Sequence, residues 1–152
     1  MRSPKSQLQA WLTEMGLKQD CDLLLSSEGK CSIKVNGSEV IHLTGPADDD
    51  TFLINVELLA VDDATPSLVL RKALGLNLFQ EATMGATIAL DAASDHLILS
   101  YLGRYQSSSY QDFINIFTNM ALLAARLKQQ LSDLLSEMGA DSVTDEPMAM
   151  SV

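Results

Sequence analysis

The sequence predicts an α+β fold: a single domain in which helices pack on a mostly antiparallel, twisted sheet. The elements run helix, three strands, helix, two strands, helix. Three observations carry this. Two stretches alternate apolar and polar residues around short turn signals, the pattern of hairpins and hence of antiparallel pairing. Three others repeat apolar residues at helical spacing. The chain has 152 residues, a length that suits one domain.

SPKSQLQAWLTEMG reads as the first helix, with Ser3 as cap, Pro4 in the first turn and Gly16 as its stop. Leu8, Trp11, Leu12 and Met15 fall on one stripe. CSIKVNGSEVIHLT reads as a hairpin: Cys31, Ile33 and Val35 alternate with polar neighbours, and Asn36-Gly37 is a two-residue turn signal. After the acidic loop Ala47 to Asp50 comes a long strand, TFLINVELLAV. Phe52, Ile54, Val56 and Leu58 share one of its faces, and Leu53, Leu59 and Val61 the other. In VDDATPSLVLRKALGLNLFQEA, Thr65 is placed to cap a helix and Pro66 to occupy its first position. At about 100° per residue, Leu68, Phe79, Leu76 and Val69 line one side of that helix and Leu70, Leu74 and Leu78 another. ATIALD and HLILSY form the second hairpin, around the turn Ala92 to Asp95. Ser109 and Asp112 are spaced like a capping box, with Asp in place of the usual Glu, at the head of a long last helix. Phe113, Phe117, Met120, Ala124, Leu127, Leu131, Leu134 and Met138 make its heptad stripe, and Gly139 is its expected end. Residues 1–139 thus form the expected domain and 140–152 a flexible acidic tail. The chain shows no internal repeat.

Twenty acidic residues against ten basic ones give a formal charge of −10, a field that disfavours nucleic acid and anionic membranes as partners. The N-terminal MRSPKSQ lacks the apolar run of a signal peptide, and no segment reaches membrane-spanning length, so a reducing cytoplasm is expected. Cys21 and Cys31 form no CxxC pair and read as plain thiols. His42 and His96 are the near-neutral acid–base groups, one inside an alternating strand and one at a turn. With the cysteines they lack the paired spacing of a zinc site, and the aspartates at 48–50 and 62–63 lack the spacing of a calcium loop. Glycine-rich phosphate loops and a GxSxG nucleophile elbow are absent. The expectation is a protein that is not an enzyme and needs no cofactor or metal.

What the pattern has in excess is apolar surface. Fully burying a leucine is worth about 1.5–3 kcal/mol, so Leu70, Leu74 and Leu78 from two copies would contribute on the order of 10 kcal/mol before association costs. One sheet covers one side of a helix. A homodimer in which this helix meets its own copy would cover the other.

In this order of elements, LQAWLTEMGL, KCSIKVNGSEVIHL, FLINVELLAV, SLVLRKALGLNLF and ATIALDAASDHLILSYL, followed by the long last helix, resemble the effector-dedicated chaperones of bacterial type III secretion, the Tir-chaperone (CesT-like) family. The resemblance runs from Gln7 to about Met138. It implies a bacterial cytoplasmic homodimer, built on the middle helix and its adjoining strand, that binds a non-globular segment of a secreted effector and keeps it export-competent. Strand addition and apolar grooves would hold that segment, and the secretion-system ATPase would be a further partner. Carried onto this sequence, Leu8, Trp11, Leu12 and Met15 with Ile33, Val35 and Leu53 are the groove candidates, although core is the favoured reading of the first-helix stripe, since a single apolar stripe usually packs inward. The competing readings are a chaperone-like regulator or adaptor that sequesters another protein, and a coiled-coil assembly module built on the last helix.

Overall fold

Alternation along the chain becomes a five-stranded sheet in a computed structural model that describes residues 4–35, 39–46, 49–78 and 81–150. The strands are β1 (Lys30–Val35), β2 (Glu39–Thr44), β3 (Thr51–Ala60), β4 (Thr87–Asp91) and β5 (His96–Arg104). They lie in the order β1-β2-β3-β5-β4, each pair antiparallel. Helices α1 (Pro4–Gln19), α2 (Ser67–Gly75) and α3 (Tyr110–Met150) complete the expected α+β order. The Asn36-Gly37 turn lies outside the described residues, but Val35 pairs with Glu39, so the hairpin it was expected to close is present.

The two-residue period sorts the sheet into unlike faces. Ile41, Leu43, Phe52, Ile54, Val56, Ile88, Leu97 and Leu99 point to one side and are buried there against α1, α2 and α3. Trp11 of α1 fastens this core: it meets Phe52 edge-on with ring centroids 5.6 Å apart and stacks on Phe113 of α3 at 5.1 Å. The opposite face carries Ser32, His42, Leu53, Asn55, Glu57, Ile98, Ser100 and Leu102, all half-buried or exposed. A β-bulge between Glu57 and Leu59 breaks the register of β3 on β5 near the end of the strand.

Several helix ends differ from expectation. The first helix continues through Gly16 to Gln19, and Asp20 at φ 53° turns the chain out of it. Glycine is needed at position 16 for another reason. The chain folds back so that the Cys21 N–H donates to the Gly16 carbonyl at 2.9 Å, and a Cβ there would collide with the Cys21 carbonyl oxygen. Thr65 does not cap α2. Its hydroxyl instead accepts the Asp62 N–H at 2.9 Å, closing the loop before the helix, and Pro66 stands at the cap position without a side-chain hydrogen bond. The last helix runs past Gly139 to Met150. Among the described residues the positive-φ glycines are Gly29 and Gly85, so Gly139 makes no left-handed cap, and a glycine in mid-helix costs only about 1 kcal/mol. No helix end therefore marks the expected boundary between 1–139 and 140–152.

The start of α3 is as expected. The Ser109 N–H and hydroxyl both donate to Asp112 Oδ2, at 2.8 and 2.9 Å, and the Asp112 N–H donates back to Ser109 Oγ at 3.1 Å. These bonds hold the Asp112 carboxyl below its ordinary value. The cap is therefore complete above the ordinary carboxylate range and is lost as pH falls through the lowered value.

Further along, α3 is tied to the β1–β2 hairpin by Lys128 Nζ, 2.7 Å from Glu39 Oε2, with the two side chains 32% and 13% exposed. Lys128→Met keeps the packing of the stem but leaves the Glu39 carboxylate largely dehydrated and unpaired. The expected loss is about 1–3 kcal/mol, between the cost of breaking a surface pair and a buried one. Urea unfolding reads it as a lowered midpoint, with Glu39→Gln recovering much of the loss. An unchanged midpoint would show that the pair contributes nothing.

Candidate functional site

The second apolar side of the middle helix is bare within one copy of the chain. Val69 and Ala73 of α2 are buried against the core, while Leu74 of the second side is 66% exposed, and Leu68, expected beside Val69 on the first side, is itself 50% exposed. Leu70 is half-buried, packed at the margin of the core. Leu78, 67% exposed, lies beyond the end of α2, so it extends the apolar surface without belonging to the helical stripe. Phe79 lies outside the described residues. Between α2 and β4 runs a slot of about 450 Å³, with Ala73, Ile88 and Leu97 as floor and Leu70, Leu74 and Leu90 as walls. Asp62, Asp63 and Asp95 line its rim. Leu90 lines this slot and is 55% exposed.

The two edges of the sheet are guarded differently. At β4, Asn77 acts as a substitute strand: its Nδ2 donates to the Ile88 carbonyl at 2.9 Å and its Oδ1 accepts the Ile88 N–H at 2.8 Å. The outward backbone groups at the middle of that edge are thereby taken. At β1 the guard covers one end. Ser26 takes both backbone groups of Lys30, its N–H donating to the Lys30 carbonyl at 2.8 Å and its Oγ accepting the Lys30 N–H at 3.2 Å. The Gly29 carbonyl, one residue earlier, faces β2 and accepts the Gly45 N–H at 2.8 Å. Successive residues of an antiparallel strand turn their polar groups to opposite sides. Ser32 and Lys34 therefore direct theirs outward, where the sheet has no further strand. On the helix side of this open edge sit the half-buried Cys31, Ile33 and Val35, packed against the core.

The family model of the Tir chaperone protein (CesT) family matches residues 10–128. The chain belongs to the CesT family. No curated protein matches it as a relative by sequence. Among solved structures, the fold of this CesT-family chain is similar to that in the ExsC–ExsE complex, at 15% identity and a TM-score of 0.75, covering 86% of this chain and 97% of that one. It is similar to the HopA1–SchA chaperone–effector complex at 13% identity and a TM-score of 0.66, covering 82% and 95%. It also resembles the heterodimeric ExoU–SpcU complex from the type III secretion system of Pseudomonas aeruginosa, at 19% identity and a TM-score of 0.61, covering 80% and 95%. At these identities the likeness shows the fold.

The CesT-family chain does not bring the sequence-derived groove positions onto one surface. Leu8, Trp11, Leu12 and Met15 are core side chains, none more than 7% exposed, so the first-helix stripe faces inward and offers no open wall. A single apolar stripe on a helix beside a sheet packs against that sheet, and here Phe52 and Phe113 take it up. Ile33 and Val35 lie at the β1 edge on the helix side, whereas Leu53 lies on the far face of the sheet, paired with Leu102. Sequence reasoning missed Asn77, Ser26 and Lys34. An asparagine bonding a strand eleven positions later leaves no local signature in the sequence.

His42 Nδ1 lies 2.8 Å from Ser32 Oγ on the exposed sheet face, and His96 Nε2 lies 3.9 Å from Glu57 Oε2. Burial pushes the Cys31 thiol up, away from thiolate chemistry. Among the described residues no group of three or more His, Cys, Asp or Glu could hold a metal, and no helix is long and apolar enough to cross a membrane.

Proposed function

We propose that this CesT-family chain works in the bacterial cytoplasm as a homodimeric chaperone of type III secretion. It binds an extended, non-globular segment of a secreted effector and keeps it competent for export, with the secretion-system ATPase as the acceptor of the loaded complex. The observation that carries this reading is the family match over residues 10–128. Three similar folds are, by their own descriptions, chaperone–effector or heterodimeric secretion complexes, or a complex of two named partners.

The exposed leucines of α2 support the dimer. A two-fold axis beside α2 sets two copies antiparallel and seals Leu74 and the slot wall on both. The same arrangement brings Asp62 and Asp63, just before the helix, toward Arg71 and Lys72 near the end of its partner. That match of opposite charge aligns with both helix dipoles. The open stretch of β1 supports client binding. An added strand gains backbone hydrogen bonds at Ser32 and Lys34, while its alternate side chains reach the apolar margin at Ile33 and Val35. A segment held this way is kept from its own core, and release needs only the breaking of a short ladder and a few apolar contacts.

Affinity isolation from the native host followed by limited proteolysis tests this. The expected result is one specific polypeptide retained, with a segment protected while the rest of it is digested. No retained or protected polypeptide among the secreted proteins would remove the reading.

A further inference from the structure

Both edges of the sheet expose backbone that could pair with another chain, and they are defended by different means. Asn77 closes the middle of the β4 edge by occupying its hydrogen-bonding groups. The stretch of β1 beyond Ser26's reach is defended by charge. Lys34 is exposed there, with no ion pair to it among the described residues, whereas Lys30 lies 3.8 Å from Glu28. A second β1 docking antiparallel on this edge, about Ser32 or about Lys34, brings lysine against lysine, which opposes self-pairing. An acidic side chain in the same place is attracted. A charged guard is thus a selective one.

Building on the chaperone reading above, we infer that Lys34 selects the client strand: the segment that adds to β1 carries a carboxylate opposite Lys34, flanked on both sides by apolar residues. The register follows from the pleat. Lys34 and Ser32 project to the exposed face of the sheet, while Ile33 and Val35 project to the helix side. A paired strand must alternate in step, so the neighbours of the acidic residue point to the apolar margin. The inference runs against the overall field. A chain of net charge −10 attracts basic peptides at long range, whereas at this edge the local partner is a cation.

Two labelled dodecapeptide probes test it on the full chain by fluorescence anisotropy, one alternating valine with glutamate and one alternating valine with lysine. The ratio of their affinities is compared in the native chain, in Lys34→Glu and in Arg126→Glu, which makes the same change of charge on an exposed site of α3. Lys34→Glu is expected to move the ratio toward the lysine probe by about fivefold or more, with Arg126→Glu leaving it near the native value. Equal shifts in both variants, no shift in either, or no binding of either probe would each overturn the role of Lys34. Retention of the host client by the native chain, measured alongside, separates the two readings. A retained client with an unmoved probe ratio defeats only the selection by Lys34, and a client never retained defeats the chaperone reading itself.

Discussion

Leu74→Asp yields a folded chain that sediments as a single copy of 16.5 kDa. Leu74 is 66% exposed within one copy, so the substitution takes nothing from the core. At a two-fold contact it is costly twice over, because the axis brings two new carboxylates into one apolar seam, each without a partner. An uncompensated buried charge costs about 3–5 kcal/mol, which weakens association by more than about a hundredfold. Sedimentation velocity across a concentration series reads the change. A mutant that remains dimeric at low concentration would place the subunit contact elsewhere.

The second large effect lies in the core. A Cβ at Gly103 would stand 2.6 Å from one Phe52 Cε atom, 2.7 Å from the other and closer still to Cζ. Phe52 cannot yield easily: it is fully buried, with Trp11, Tyr105, Phe113 and Tyr101 around it. Gly103→Ala is therefore expected to cost about 3 kcal/mol, the upper range for overpacking, and to lower the melting temperature by roughly 10 °C. Combining it with Phe52→Leu should return at least about 1 kcal/mol relative to the sum of the two single changes. Strict additivity would show that the glycine is not there to admit the ring.

Where a residue's role depended on its neighbours in sequence, the pattern was legible. The buried face of β3 at Phe52, Ile54 and Val56, the Ser109–Asp112 cap and the stripe of α3 lie where the spacing puts them, whereas the bulge after Glu57 pairs Leu59 with the core-facing Leu97 and takes it off the face it was expected to share with Leu53. Where a role depended on what the chain meets after folding, it was not. Gly16 reads as a helix stop, yet it serves the return of the chain at Cys21. The first-helix stripe favours core in the sequence but leaves a groove open until Trp11 is seen against Phe113. Leu53 and Ile33 read as one surface until strand pairing puts them on opposite faces. The openness of the β1 edge is a property of strand order, which no local window contains.

The same packing weighs against a coiled-coil assembly. Phe113, Phe117, Met120, Ala124, Leu127 and Leu131 are buried within one copy, against β3, β2 and α2. A zipper would have to strip them from the domain core. Part of the apolar surface left over lies on α2, at Leu90 and along the β1 margin, the places for which a twin and a client are proposed; Leu17, Leu24, Leu102 and Leu122 are exposed elsewhere.

Hydrogen exchange measured on the chain alone and on the chain isolated with its client tests that division most directly. The account predicts that the amides of α2 are protected in both samples, whereas those of Ser32 and Lys34 exchange quickly in the free chain and become protected in the complex. Slow exchange at Ser32 and Lys34 without a client, or no change there when one is bound, would contradict it.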